Sequence, residues 1–445
     1  MPHSRTRKSS LGLAWFVIPL LLSLSCQTLL SGPTGPVPPA QTPTHTPALA
    51  SELVQPSPTP FPEPQLSATS LPPTPVPPGD PPLEGASLAY PGQVYAYVDP
   101  PVPYEMGSQV KDRLEELGYE ICHDVDWSNS PFYTLQTAYA VRHFQEVNGL
   151  EANGTLDEAT WNVLFAAGAQ PAPAYQAESL EAAQSFYGVG STELGAAGNG
   201  WLWLSARGFG MADAFDPNSS ELYAGMYALL GPADEGYTDL QGLASDGETL
   251  WAAFQGSESA VLQAYDPSTA SPVDGMLNPL WAPPVAFDSF YVRGLSYGGG
   301  WVWAAVEAMG GMHLVRIDPL AQAMHSYIEM PVETFPNAPA YDEKLQVLWV
   351  PVQGMYGDYS ILAVDPDTGP YGDVLGVCGS QAAYVAGRLW VAQGARLLGV
   401  DTASRQVMAV LDLDTPGVPI LTLIPAGDSL WVVAVDGMIS QVVMP

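Results

Sequence analysis

Six tryptophans, Trp203, Trp251, Trp303, Trp349, Trp390 and Trp431, recur at intervals of 48, 52, 46, 41 and 41 residues. Each sits in the same short design: "NGWLWLSARG", "GETLWAAFQG", "GGWVWAAVEA", "LQVLWVPVQG", "AGRLWVAQGA" and "GDSLWVVAVD". Eleven to sixteen residues after the first five, an apolar run ends in aspartate, at Asp216, Asp266, Asp318, Asp365 and Asp401. A period in the forties with short strands constrains a chain to stacked blades around an axis, an all-β propeller.

Each repeat reads as four strands. The innermost is rich in small residues ("GLAS", "GLSY", "AAYV"), as a crowded centre requires. The tryptophan strand comes second, the strand ending in aspartate third, and a loosely patterned strand outermost. Aspartate followed by Pro or Thr is turn chemistry, and the tryptophans suit packing between blades. The sixth repeat begins near Ile420 and reaches only "MISQVVMP" after its tryptophan strand, so it lacks an outer strand. "AQSFYGVG" (Ala183–Gly190) is placed to supply it and to hide an otherwise open edge. The count is six blades, with seven as the alternative.

This pattern resembles streptogramin-lyase-like and YVTN or NHL-type propellers; the Gly-His and Trp-Asp signature of WD40 repeats is absent. Propellers of this kind carry no single activity. A lyase or hydrolase needs a general base and a metal cluster, and the region offers only His313 and His325. "AVDPDTG" resembles one quinoprotein repeat, but no cofactor or metal is assigned. A binding surface is read instead at the ends of the second strands. Arg207, Gln255, Glu307, Gln353, Gln393 and Asp436 supply one polar residue per blade there. The plain alternative is that they mark where each strand meets solvent. Phe209, Met312, Met355, Tyr356 and Tyr359 follow on nearby loops, and "PLWAPPVAFDSFY" adds Trp281 and Phe287. Trp281 and Tyr356 are expected to anchor a protein or glycan.

Upstream, the chain changes character. Arg5, Arg7 and Lys8 precede "LGLAWFVIPLLLSL", an apolar run of secretory-signal length, shorter than the about 20 residues of a membrane span. "LSLSC" places Cys26 where a bacterial lipoprotein is cut and lipidated, a resemblance in which Ser23 stands where leucine is favoured. Ordinary cleavage after a small residue is the alternative. Residues 1–25 are thus read as signal and 26–103 as a Pro/Thr-rich disordered linker, open to O-linked sugars. The three cysteines, Cys26, Cys122 and Cys378, are too few for a disulfide scaffold or a structural zinc site. With 46 acidic against 13 basic residues, the formal charge of −33 repels phosphate backbones and excludes nucleic acid as a partner.

Between 104 and 170 lies a compact helical segment. Val110, Leu114 and Leu117 fall at helical spacing before Gly118. A second helix is read near Tyr133–Val147 with Val141, Phe144 and Val147 inward, ended by Asn148-Gly149. A third starts at Asp157 as N-cap and brings Trp161 and Leu164 to the same core. The ordered set Leu117-Gly118-Tyr119, Thr137, Ala140-Val141, Phe144-Gln145, Asn148-Gly149-Leu150, Gly154, Asp157 and Thr160-Trp161 resembles the peptidoglycan-binding domain found beside bacterial wall hydrolases. Ser130-Pro131 stands where that family has Asp-Gly, and the preceding loop, containing "CHDVDWSNS", is some four residues longer. Asp124, Asp126 and Ser128 alternate as in a calcium loop. Asn129 and Leu135 break that pattern, which leaves a solvated loop. The resemblance implies peptidoglycan as partner, with Tyr119, Arg142, Gln145, Asn148 and Asn153 as contact residues; a spacer is the alternative.

Two domains are therefore expected, a three-helix module at 104–170 and a propeller over 171–445. They form an exported protein tied to a membrane through lipid at Cys26. The competing reading is a propeller enzyme, lyase or hydrolase, targeted to the wall.

Overall fold

The computed structural model describes residues 88–98, 101–119, 131–188, 192–208, 210–229, 239–256, 259–270, 277–281, 284–289, 291–308, 311–331, 334–355, 357, 359–413 and 418–444. Cys26, Cys122 to Asn129, Phe209 and Tyr356 lie outside them. Among the described residues no helix is long and apolar enough to cross a membrane.

The module has three helices, α1 (Gly107–Glu116), α2 (Leu135–Val147) and α3 (Glu158–Leu164). Thr134 caps α2 by accepting from the Thr137 N–H, and Asp157 caps α3 by accepting from the Thr160 N–H at 2.8 Å. That last bond holds the Asp157 carboxyl below its usual pKa. Val110, Leu114, Val141, Phe144, Trp161 and Leu164 are fully buried together.

The module also begins earlier than position 104. Tyr95 is fully buried in this core, bridged through both backbone groups to Leu156 and set edge-on to Trp161 at 5.8 Å. Trp161 Nε1 donates to the Leu88 carbonyl at 2.9 Å. Three short helices leave one face of the indole uncovered, and the segment "LAYPGQVYAYV" closes it with tyrosines. Residues 88–98 are part of the module, not of the linker.

Six blades follow, each a four-stranded antiparallel core, at 194–228, 239–288, 291–329, 334–374, 381–412 and 420–443. Ser185 and Phe186 sit opposite Ser440 and Ile439, where the strand Gln184–Tyr187 completes blade 6. Blade 5 gains a fifth strand not foreseen from sequence, Glu178–Ser179, parallel to Gln406–Asp412. The six periodic tryptophans are all at most 2% exposed. All five turn aspartates accept backbone N–H groups two or three residues ahead. The small inner residues are needed: a Cβ at Gly294 would lie 2.3 Å from the Ala338 nitrogen, and one at Gly242 would lie 2.8 Å from Leu295 Cβ.

Sequence reading gave no role to Asp342. It is fully buried, accepts the Lys344 and Leu345 N–H groups at 2.9 and 3.0 Å, and takes the Thr402 hydroxyl from blade 5. Trp349 Nε1 donates at 3.4 Å to Oδ2, the oxygen that also takes the Thr402 hydroxyl. Asp342→Ala orphans these donors in the seam between blades 4 and 5. It is expected to cost about 3 kcal/mol in chemical unfolding, because buried donors left without a partner are expensive. Cys378, fully buried at the entry to blade 5, is disulfide-bonded.

The module rests on blade 4. Leu135 and Tyr139 of α2 pack against the core shared by blades 3 and 4, and Tyr139 Oη accepts from the Val374 N–H at 3.3 Å. Ser360 Oγ faces Gln136 Oε1 at 3.5 Å.

Candidate functional site

In each blade the inner strand starts where the second strand ends, because the two are antiparallel. Leu194 pairs with Ser205, Tyr291 with Glu307, and Gln381 with Ala392. This end of the ring opens into the central channel, lined there by Glu193, Arg207, Arg293, Asn337 and Gln381. Ser245, Tyr297, Tyr341 and Tyr384 line the opposite end.

Two arginines organise the mouth. Arg207 donates to the carbonyls of Gln241, Val292 and Arg293 at 3.0, 3.1 and 2.9 Å, tying blades 1, 2 and 3 together. Its Nε lies 3.5 Å from Glu193. Arg293 reaches Glu307 at 3.5 Å, and its guanidinium lies 4.6 Å from the Phe335 ring centroid and 5.5 Å from that of Tyr291. The Nε of Arg293 is buried and has no hydrogen-bond partner among the described residues.

The polar residues at the second-strand ends therefore do not form one ring. Arg207 lines the channel, and Glu307 reaches it through Arg293. Gln255 is buried, its amide donating to the Gly256, Ser259 and Ser289 carbonyls. Gln393 turns its amide toward Cys378 Sγ, and Asp436 caps its own turn by accepting from the Met438 N–H. Gln353 is half-buried opposite Phe335.

Trp281 is no anchor at this mouth. The segment carrying it forms the outer strand of blade 2, in two pieces, Asn278–Pro279 and Val285–Asp288. Trp281 is only 6% exposed and packs with Phe287 between blades 2 and 3, its carbonyl accepting from Gln263. Met355 is exposed on the rim, and Met312 and Tyr359 are half-buried. His313 and His325 are not among the channel-lining residues. No group of three or more metal-ligating side chains is present among the described residues.

On the module, Tyr119 and Gln145 are internal and not on its surface. Gln145, 1% exposed, donates to Thr155 and Thr160 and accepts from the Asn153 and Gly154 N–H groups, holding the α2–α3 loop. Tyr119 is buried and donates to the Gln170 carbonyl; burial pushes its phenol pKa up. Asn148 is half-buried, accepting from the Gln170 N–H and donating to Phe144. Arg142 and Asn153 remain exposed, Arg142 beside Glu146 at 3.4 Å.

The helical geometry has a counterpart among known families. Residues 108–164 match the family described as "Putative peptidoglycan binding domain". The chain thus carries a peptidoglycan-binding-type domain followed by a six-bladed propeller. No curated protein matches the chain.

Among solved structures, it is similar to the PQQ-bound aldose sugar dehydrogenase of Streptomyces coelicolor, at 17% identity and TM-score 0.41, over 59% of this chain and 97% of that one. It is also similar to the glutaminyl cyclase of Myxococcus xanthus, at 13% identity and TM-score 0.34, over 59% and 95%. The WD40 β-propeller domain of Doa1 matches at 9% identity and TM-score 0.41, over 60% and 97%. At these values no cofactor or activity is carried over.

Proposed function

We propose that this is an exported, lipid-anchored envelope protein. Its helical module docks on peptidoglycan, and its propeller presents the Arg207 end as a binding face for a protein or glycan. The observation that carries the reading is the family match over 108–164, on a three-helix core that is intact in the structure. Because Tyr119 and Gln145 are internal, wall contact falls to the exposed side of the module, with Arg142 and Asn153.

Export is supported by the charged and apolar run before Cys26 and by the disulfide at Cys378, since such bonds persist in oxidising compartments. The anchor is tested directly. Cys26→Ala is expected to move the protein from the membrane fraction to the soluble envelope fraction or the medium, read by fractionation and immunoblot. Unchanged membrane retention contradicts lipidation at Cys26.

A further inference from the structure

We propose that the mouth formed by Glu193, Arg207, Arg293 and Glu307 binds an uncharged saccharide, continuous with the glycan held by the neighbouring module. This deepens the binding-face reading of the propeller and rests on it.

Charge comes first. Arginine is scarce in this chain, yet two meet at the mouth, each faced by one glutamate, so the local charges cancel. An anion finds no net attraction there and is repelled from afar by a chain of formal charge −33. A neutral ligand meets neither obstacle.

Hydrogen-bonding capacity points the same way. Both mouth pairs are long, at 3.5 Å, whereas Arg316–Asp367 and Arg396–Asp412 close to 2.7 and 2.8 Å. Glu193 and Glu307 stay 45% and 43% exposed and Arg207 and Arg293 23% and 26%, so every member of the two long pairs keeps accessible surface. Accessible carboxylate acceptors and guanidinium donors thus meet around one opening. Hydroxyl groups both donate and accept, so a sugar can give to the carboxylates and take from the guanidinium. The site is also held in place. Arg207 is fixed by three carbonyls and Arg293 lies against Phe335, which lowers the ordering cost on binding.

Placement supplies the source of the ligand. The module meets blade 4 near Ser360, which pairs with Val352 at the mouth end of that blade. Blade 4 also supplies Phe335 beside Arg293 and Asn337 to the channel lining. The module is therefore seated beside the end of the propeller that carries the arginines.

The test is calorimetric titration of the full chain with the β-1,4-linked tetramer of N-acetylglucosamine. Arg293→Met and, as a folding-safe second variant, Glu193→Gln should each weaken one class of sites by roughly tenfold to a hundredfold. Raising salt from about 0.05 to about 0.5 M should leave the wild-type affinity unchanged, as screening does not act on a neutral ligand. Isotherms identical in both variants overturn the proposal. Binding only of a carboxylate-bearing muropeptide, weakened by salt, also overturns it and makes the mouth an anion site. If the variants lose capture of an envelope protein while the tetramer isotherm stays unchanged, the saccharide assignment fails and the binding face stands. If neither changes, both fall.

Discussion

Trp161→Ala is expected to unfold the helical module, at a cost of roughly 3–5 kcal/mol for a fully buried indole. Trp161 lies at the centre of an aromatic group, edge-on to Tyr95 and Tyr90 and 4.6 Å from Phe165. Its Nε1–H also fastens the segment before α1 through Leu88. Truncation empties the core and frees that segment together. A domain of this size has little stability to spare, so the loss should exceed what remains. The expected readout is loss of helical circular dichroism and rapid proteolysis within 88–170, with the propeller strands still protected. An unchanged module melt would contradict the burial of Trp161.

Opening the ring should be the second large effect. The strand Gln184–Tyr187 joins blade 6 from the other side of the propeller sequence, with Ser185 and Ser440 hydroxyls 2.9 Å apart. Phe186 sits 5.1 Å from Phe215 of blade 1 and 6.3 Å from Trp431 of blade 6, so one side chain spans the closing seam. In the variant Phe186→Pro, proline removes the donor that the register turns toward Ile439 in the middle of a four-residue strand, and the seam loses its aromatic ring. The combined cost is expected to be roughly 3–5 kcal/mol. The strand Met438–Val443 then becomes an open edge, which favours association between chains. Thermal melting with light scattering should show an earlier transition and larger particles. Unchanged melting and a monomeric profile would mean that contacts between blades close the ring without the strand.

Blade number, strand order and the closing strand were readable because tryptophan spacing and turn aspartates report backbone geometry directly. Trp203 and Asp216 do the same work as Trp390 and Asp401 in each repeat. The mouth was readable only in part, because polarity at a strand end does not say which way a side chain turns. Arg207 points into the channel and Gln255 turns back to the carbonyls of Gly256, Ser259 and Ser289. Arg293 was missed because inner strands were read for small residues, although an arginine in so acidic a chain was a usable signal. Trp281 misled for a physical reason: an insertion rich in proline looks like a loop, but here it supplies an outer strand in two pieces and buries its aromatics. Tyr119 and Gln145 belong to the fold of their family, and the same residues that identify the module are the ones its core consumes.

Sedimentation with purified peptidoglycan sacculi tests the central claim most directly. The full chain is expected to pellet with sacculi, Arg142→Ala/Asn153→Ala to pellet less, and Trp161→Ala to remain in the supernatant. A wild-type chain that stays in the supernatant at both low and high salt would contradict wall docking and leave the module as a spacer between membrane and propeller.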